Sequence, residues 1–176
     1  MATPISPSTR PTSNEYAEYY DRYVSLVPEG DIVVTLEKQL DSTLALLRSI
    51  DESTASKRYA PDKWSIKEVV GHMIDAERVF IYRALCFARN DNTPIAGFEQ
   101  DDYVRNAKSD QRQLADLASE FDIVRKGSIS LFRSFGDEEW SRIGRASDAE
   151  CSVRALAYMI AGHEVHHINV LKTRYL

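Results

Sequence analysis

Residues 64–90 read WSIKEVVGHMIDAERVFIYRALCFARN, and this stretch decides the fold. Ser65 is placed to cap a helix, and Glu68, three residues on, to close a capping box. Trp64, ahead of the cap, can staple onto Val69. Ile66, Val69, Met73, Ala76 and Phe80 follow at steps of three and four, so one side of a helix running to about Asn90 is apolar.

The same pattern recurs on both sides. Val33, Leu36, Leu40, Leu44 and Leu47 predict a helix over about 31–50. The polar stretch DESTASKRYAPDK, which holds Pro61, predicts a loop. Tyr16, Tyr19, Tyr20 and Tyr23 sit at helical spacing and predict a short helix with an aromatic stripe, ended by Pro28 and Gly30. Residues 1–13 are rich in Pro, Ser and Thr and read as a flexible N-terminal tail before a single domain over 14–176. Downstream, DNTPIAGFEQDDYVRNAKSD is a long mixed loop. Leu114, Leu117, Phe121, Val124, Leu131 and Phe135, with Ser128 in the gap, form the next apolar stripe, which Gly136-Asp137 stops. Gly127 inside it costs ~1 kcal/mol of helix propensity relative to Ala. A connector with one short turn reaches Ser152, and SVRALAYMIAGHEVHHINVLKTRYL, residues 152–176, predicts the last helix. Four long amphipathic helices without a strand alternation give an all-α fold class, a four-helix bundle with short additional helical turns.

Composition bounds what such a bundle does. At 176 residues the chain is one domain's worth, and 43% hydrophobic with 28% charged residues is enough to fill a core. Arg78, Arg83 and Arg154 break the apolar runs, so no span of about 20 apolar residues exists and no membrane helix is expected. The net charge is -5 and no Lys/Arg cluster stands out, which argues against nucleic acid as a partner. The opening MATPISPSTRPTSN has no apolar run of the secretory kind. Cys86 and Cys151 form no pattern and read as small packing residues, so the expectation is a cytoplasmic protein with free thiols.

The chemistry lies in the histidines. There are four, His72, His163, His166 and His167, all within predicted helices. His163 and His167 are one turn apart, about 40° in azimuth and about 6 Å in rise, so their rings can converge on one ion. Leu156, Met159, Ile160, Val170 and Leu171 share their face, which therefore points into the bundle, where an unpaired polar ring is costly. His166 lies about 60° off His163 on the other side, toward the rim. His72 shares the apolar face of its own helix with Ser65, Val69, Ala76 and Val79. Bundle metal sites are built this way, from inward side chains on facing helices. The competing reading is that each histidine is a hydrogen-bonded core residue, the commoner fate of a lone buried imidazole.

His163-Glu164-Val165-His166-His167 formally matches the H-E-x-x-H zincin signature. The nine residues after His167 contain no His, Asp or Glu, so no downstream third ligand follows and the protease reading is set aside. Glu164 then reads as a solvated charge or an outer partner of the site. Glu77 and Arg83 read as surface or rim charges, although Arg83, near the His72 face, could meet an anionic substrate.

At these residues the sequence resembles the DinB-like superfamily. The resemblance rests on Lys63-Trp64-Ser65-Ile66-Lys67-Glu68-Val69-Val70-Gly71-His72 and on Gly162-His163-Glu164-Val165-His166-His167. Asp75-Ala76-Glu77-Arg78, Arg83-Ala84-Leu85 and Pro94-Ile95-Ala96-Gly97-Phe98 lie between them, and the match spans roughly residues 15–176. It implies a divalent metal ion, zinc or nickel, held by His72, His163 and His167, and often a homodimer. It also implies a small-molecule substrate, in some members with a low-molecular-weight thiol in transferases or isomerases, while others are described as metal-dependent hydrolases. Three imidazoles leave at least one open position, the layout of catalytic rather than structural zinc sites. Water there would give hydrolysis, and a thiolate would give addition or substitution at an electrophile. The alternative is a non-enzymatic, stress-linked metal-binding or scaffolding bundle.

Overall fold

The computed structural model describes residues 9–176. Its α-helices are α1 (Asp21–Val24), α2 (Ile32–Ser49), α3 (Glu52–Ala55), α4 (Ile66–Ala88), α5 (Gln100–Ala107), α6 (Leu114–Arg133), α7 (Asp137–Ser141) and α8 (Val153–Arg174), with two short strands, β1 (Ile143–Ala146) and β2 (Ala149–Ser152). Three of the four long helices start on a side-chain cap. Asp31 accepts from the backbone N–H groups of Val33 and Val34 at the head of α2. At α4 the capping box is realised in both directions: Ser65 Oγ accepts from Glu68 N at 3.1 Å, and Glu68 Oε2 accepts from Ser65 N at 2.8 Å. Ser152 Oγ caps α8 by accepting from Ala155 N at 2.9 Å.

The long helices form a closed ring in which α4 and α2 each pack against both α6 and α8. The apolar core falls into two clusters. One gathers the start of α2, the second half of α4, the end of α6 and the first half of α8, around Leu36, Phe80, Phe132 and Leu156. The other gathers the end of α2 and the starts of α4 and α6, around Leu44, Ile66, Met73 and Phe121, with Leu171 of α8. Each long helix crosses from one cluster to the other, and polar side chains sit at the crossing.

The segments between the helices are more ordered than the sequence suggests. The expected N-terminal helix is two short 3-10 turns, Ser13–Glu15 and Glu18–Tyr20, followed by the single turn α1. The expected tail falls largely outside the described residues; within its described part, Arg10 donates to the carbonyls of Val24 (2.7 Å) and Val27. The expected loop at 51–63 contains α3, and the loop after Asn90 contains α5. The connector before Ser152 holds α7 and an antiparallel hairpin, whose turn residues Ser147 and Asp148 have φ of 52° and 62°. Two consecutive positive φ values mark the hairpin-type turn. Ser-Asp is an unusual pair for it, which is why no hairpin signal showed.

Candidate metal centre

α4 and α8 form the most extensive helix pair, and the histidines lie along their seam. His72 Nε2 is 3.0 Å from His163 Nε2, and His167 Nε2 is 3.1 Å from the same atom. The ligand atoms of all three rings lie within 4.8 Å of one another, and the ring centroids are 4.4–4.9 Å apart. His72 and His163 are buried, and His167 is half-buried at the mouth. His166 stands outside the group, half-buried, with its ring 5.0 Å from that of His167.

Burial favours the neutral rings. It pushes the His72 imidazole down to about 4 and His167 down to about 3, each with a smaller contribution from neighbouring histidines. His163 is held well below the ordinary histidine range, by burial first and then by the other three rings. Neutral imidazoles at neutral pH present lone pairs, the state a cation requires.

The donor set fits a metal better than it fits itself. The Nε2 of a neutral imidazole has either one hydrogen or one lone pair. His163 Nε2 can therefore hydrogen-bond one of its two close neighbours and not both. A single cation among the three nitrogens satisfies all of them. Two nitrogens on one tetrahedral ion with bonds of about 2.0–2.1 Å stand about 3.3 Å apart, close to the observed separations. Among the described residues no cysteine or carboxylate joins the group.

Two clefts reach the three rings. One, of about 450 Å³, is lined by Lys63, Trp64, Asp101, His166, His167 and Tyr175 among others. The second, of about 270 Å³, has Tyr19, Tyr20, Tyr23, Phe80 and Phe98 as aromatic walls and touches His72 and His163. Gln100, at the start of α5, lines both. Trp64 lies against His72 with ring centroids 4.8 Å apart, and Tyr23 meets His163 edge-on at 5.3 Å.

Glu77 and Arg83 are not the surface or rim charges that the sequence suggests, and of the two readings of Glu164 the solvated charge is the one that fails. Glu77, Arg83 and Glu164 are each 2–3% exposed. Arg83 donates to Ser147 Oγ at 2.9 Å and weakly to the Ala96 carbonyl. Glu77 and Glu164 are both held by Arg125 of α6, itself fully buried. Arg125, Thr43 and Gln100 were missed by the sequence reading. Arg125 carried a signal: it lies four residues after Phe121 and four before Ile129, a charge within an apolar stripe. Cys86 and Cys151 are free thiols away from the triad.

A family model described as the DinB superfamily matches residues 35–171. No curated protein matches the chain. Among solved structures, the chain is similar in fold to YfiT from Bacillus subtilis, described as a probable metal-dependent hydrolase with an unusual four-helix bundle topology. The TM-score is 0.70 at 13% identity, over 94% of this chain and 90% of that one.

Proposed function

The chain belongs to the DinB superfamily, and from that premise we propose that it is a metal-dependent enzyme acting on a small molecule, with His72, His163 and His167 as the ligands of one divalent cation. The observation that carries the proposal is the meeting of three imidazole Nε2 atoms from two helices at the junction of two clefts. Imidazole donors suit zinc and nickel alike. When bound, such a cation supplies Lewis acidity and favours the deprotonated form of a nucleophile beside it. The residues do the rest. Burial keeps the three rings neutral and fixed in direction. The aromatic cleft excludes water from an apolar substrate group, and Lys63 and Asp101 offer charge in the other cleft to a polar one. That pairing suits the transfer of a group to a low-molecular-weight thiol as well as hydrolysis. The free cysteines suit a reducing, cytoplasmic setting, and a homodimer is the assembly expected from the family.

A peptidase reading requires Glu164 as a free general base, yet its carboxylate is taken up by Arg125 and Thr43. That same engagement favours the second reading, a metal-binding bundle without catalysis. The test is metal analysis of the protein expressed without a histidine tag. Small esters, and thiols with electrophiles, are then screened with the metal found. We expect about one divalent ion per chain, lost in His163→Ala, and turnover of at least one substrate class. A folded wild-type protein that binds no divalent ion refutes the proposal, and stoichiometric metal without turnover leaves the bundle reading standing.

A further inference from the structure

Beneath His163 lies a buried group of charges that joins all four long helices. Arg125 Nε and Nη2 donate to both oxygens of Glu77, at 2.9 and 2.8 Å for the shorter contacts. Arg125 Nη1 donates to Glu164 Oε2 at 2.6 Å, and Thr43 Oγ1 donates to Glu164 Oε1 at 2.5 Å. All four carboxylate oxygens are accepting. The group draws one residue from each long helix: Thr43 from α2, Glu77 from α4, Arg125 from α6 and Glu164 from α8. No member is more than 3% exposed. Two carboxylates face one guanidinium, so the group holds a formal charge of -1 in the core. An uncompensated buried charge is costly, and replacing such groups with apolar residues is often neutral or stabilising.

The group adjoins the imidazoles. Glu164 follows His163 in sequence, and Glu77 lies five residues beyond His72 on the same helix. A cavity of about 10 Å³, the scale of one water molecule, is lined by His163 together with Glu77, Arg125 and Glu164. Three neutral imidazoles contribute no charge against a divalent cation. The nearest buried negative charge is this one.

We propose that Glu77, Arg125 and Glu164 act as positioning residues for the metal site: they place one net negative charge behind His163, so that their formal charge tunes cation affinity. This rests on the reading of the triad as a divalent-metal site. Partners of this outer kind change metal affinity by roughly 10–100-fold when altered.

The test uses the full-length protein and zinc alone as the probe, with affinity measured by competition against a chromophoric chelator. Glu77→Gln and Glu164→Gln each remove one unit of charge and keep the shape. Each is expected to weaken zinc binding roughly 10–100-fold and to lower the melting temperature of the zinc-loaded form more than that of the metal-free form. Thr43→Val, which removes a hydrogen bond but no charge, is expected to keep affinity near wild type. A purely structural role lowers both melting temperatures equally and leaves affinity unchanged; that result overturns the proposal. So does failure of both isosteres to fold, since the network is then a requirement of the fold. If wild type binds no zinc or other divalent ion, the metal-site reading itself has failed; if wild type binds and the isosteres bind equally, only this inference has.

Discussion

Replacing Gly162 by alanine sets two effects of opposite sign against each other. Gly162 is in the interior of α8, where alanine is the better helix former by about 1 kcal/mol. Propensity alone therefore predicts a more stable protein. A Cβ at Gly162, however, would lie 2.0 Å from the carbonyl oxygen of Tyr23, 2.4 Å from its carbonyl carbon and 2.9 Å from its Cα. These are backbone atoms of α1, so no rotamer change relieves the overlap and α1 has to move off α8. Overpacking costs typically about 1–3 kcal/mol, and a backbone clash this close belongs at the upper end. The net expectation is a loss of about 2 kcal/mol, or a melting temperature lower by about 4–8 °C for a chain of this size. Gly127→Ala is the matched control. Gly127 is in the interior of α6, is exposed, and has nothing within 4 Å of its would-be Cβ. There the propensity gain of about 0.5–1 kcal/mol stands unopposed. One substitution type thus raises stability at one helical glycine and lowers it at another. Thermal melts of the two variants decide the matter, and a Gly162→Ala protein melting as high as Gly127→Ala would mean that α1 does not sit on α8 as described.

Chelation should destabilise the protein: a cation present at a hundred times its dissociation constant contributes about 2.7 kcal/mol, or about 5–11 °C, and the shift should vanish in His167→Ala melts. Because the Trp64 ring is 4.8 Å from that of His72 while Trp140 stacks on Phe132 elsewhere in the core, titration with cobalt(II) should quench the Trp64 fluorescence. Quenching that persists in Trp64→Phe would place the ion elsewhere. The metal-free protein should be acid-labile. Folding holds His72 at about 4 against about 6.5 for an unperturbed histidine, so between those values the unfolded chain binds more protons. The stabilisation is complete above about pH 6.5 and is lost as pH falls toward 4, at about 3 kcal/mol for this residue. Urea melts of the metal-free protein across that window should show a shallower pH slope in His72→Gln.

What the sequence made legible is what local chemistry determines. The start of α4 needs only Ser65, Glu68 and the groups within one turn of them, so its capping box could be read in advance and is formed. The three imidazoles were legible for a related reason: i,i+4 spacing and a shared apolar face leave a helix little freedom in where it points a ring. The hairpin was illegible because its strands are four residues each and its turn uses Ser147 and Asp148 at positive φ without a glycine. The short helix expected over the tyrosines is right in place but not in form: it breaks into two 3-10 turns and the single turn α1, which tertiary contacts such as Arg10 with the carbonyls of Val24 and Val27 hold.

The buried charges were misread for a different reason, one that bears on function. Periodicity identifies a core face only when a helix also has a solvent face. From Val153 to Glu164 every residue of α8 is buried, so this half of the helix has no polar side against which Glu164 could be judged. Its partner Arg125 is on a helix that contacts α2 and α4 but lies across the ring from α8, and the ion pair crosses the interior. No reading of a single helix could join them. The polar crossing lies where the two apolar clusters stop, which is also where α4 and α8 present their histidines. At the crossing His163 has His72 and His167 on one side and, across a small cavity that they line together, the charged network on the other. The triad and the network therefore share one place in the bundle, where the apolar packing is interrupted on all four long helices.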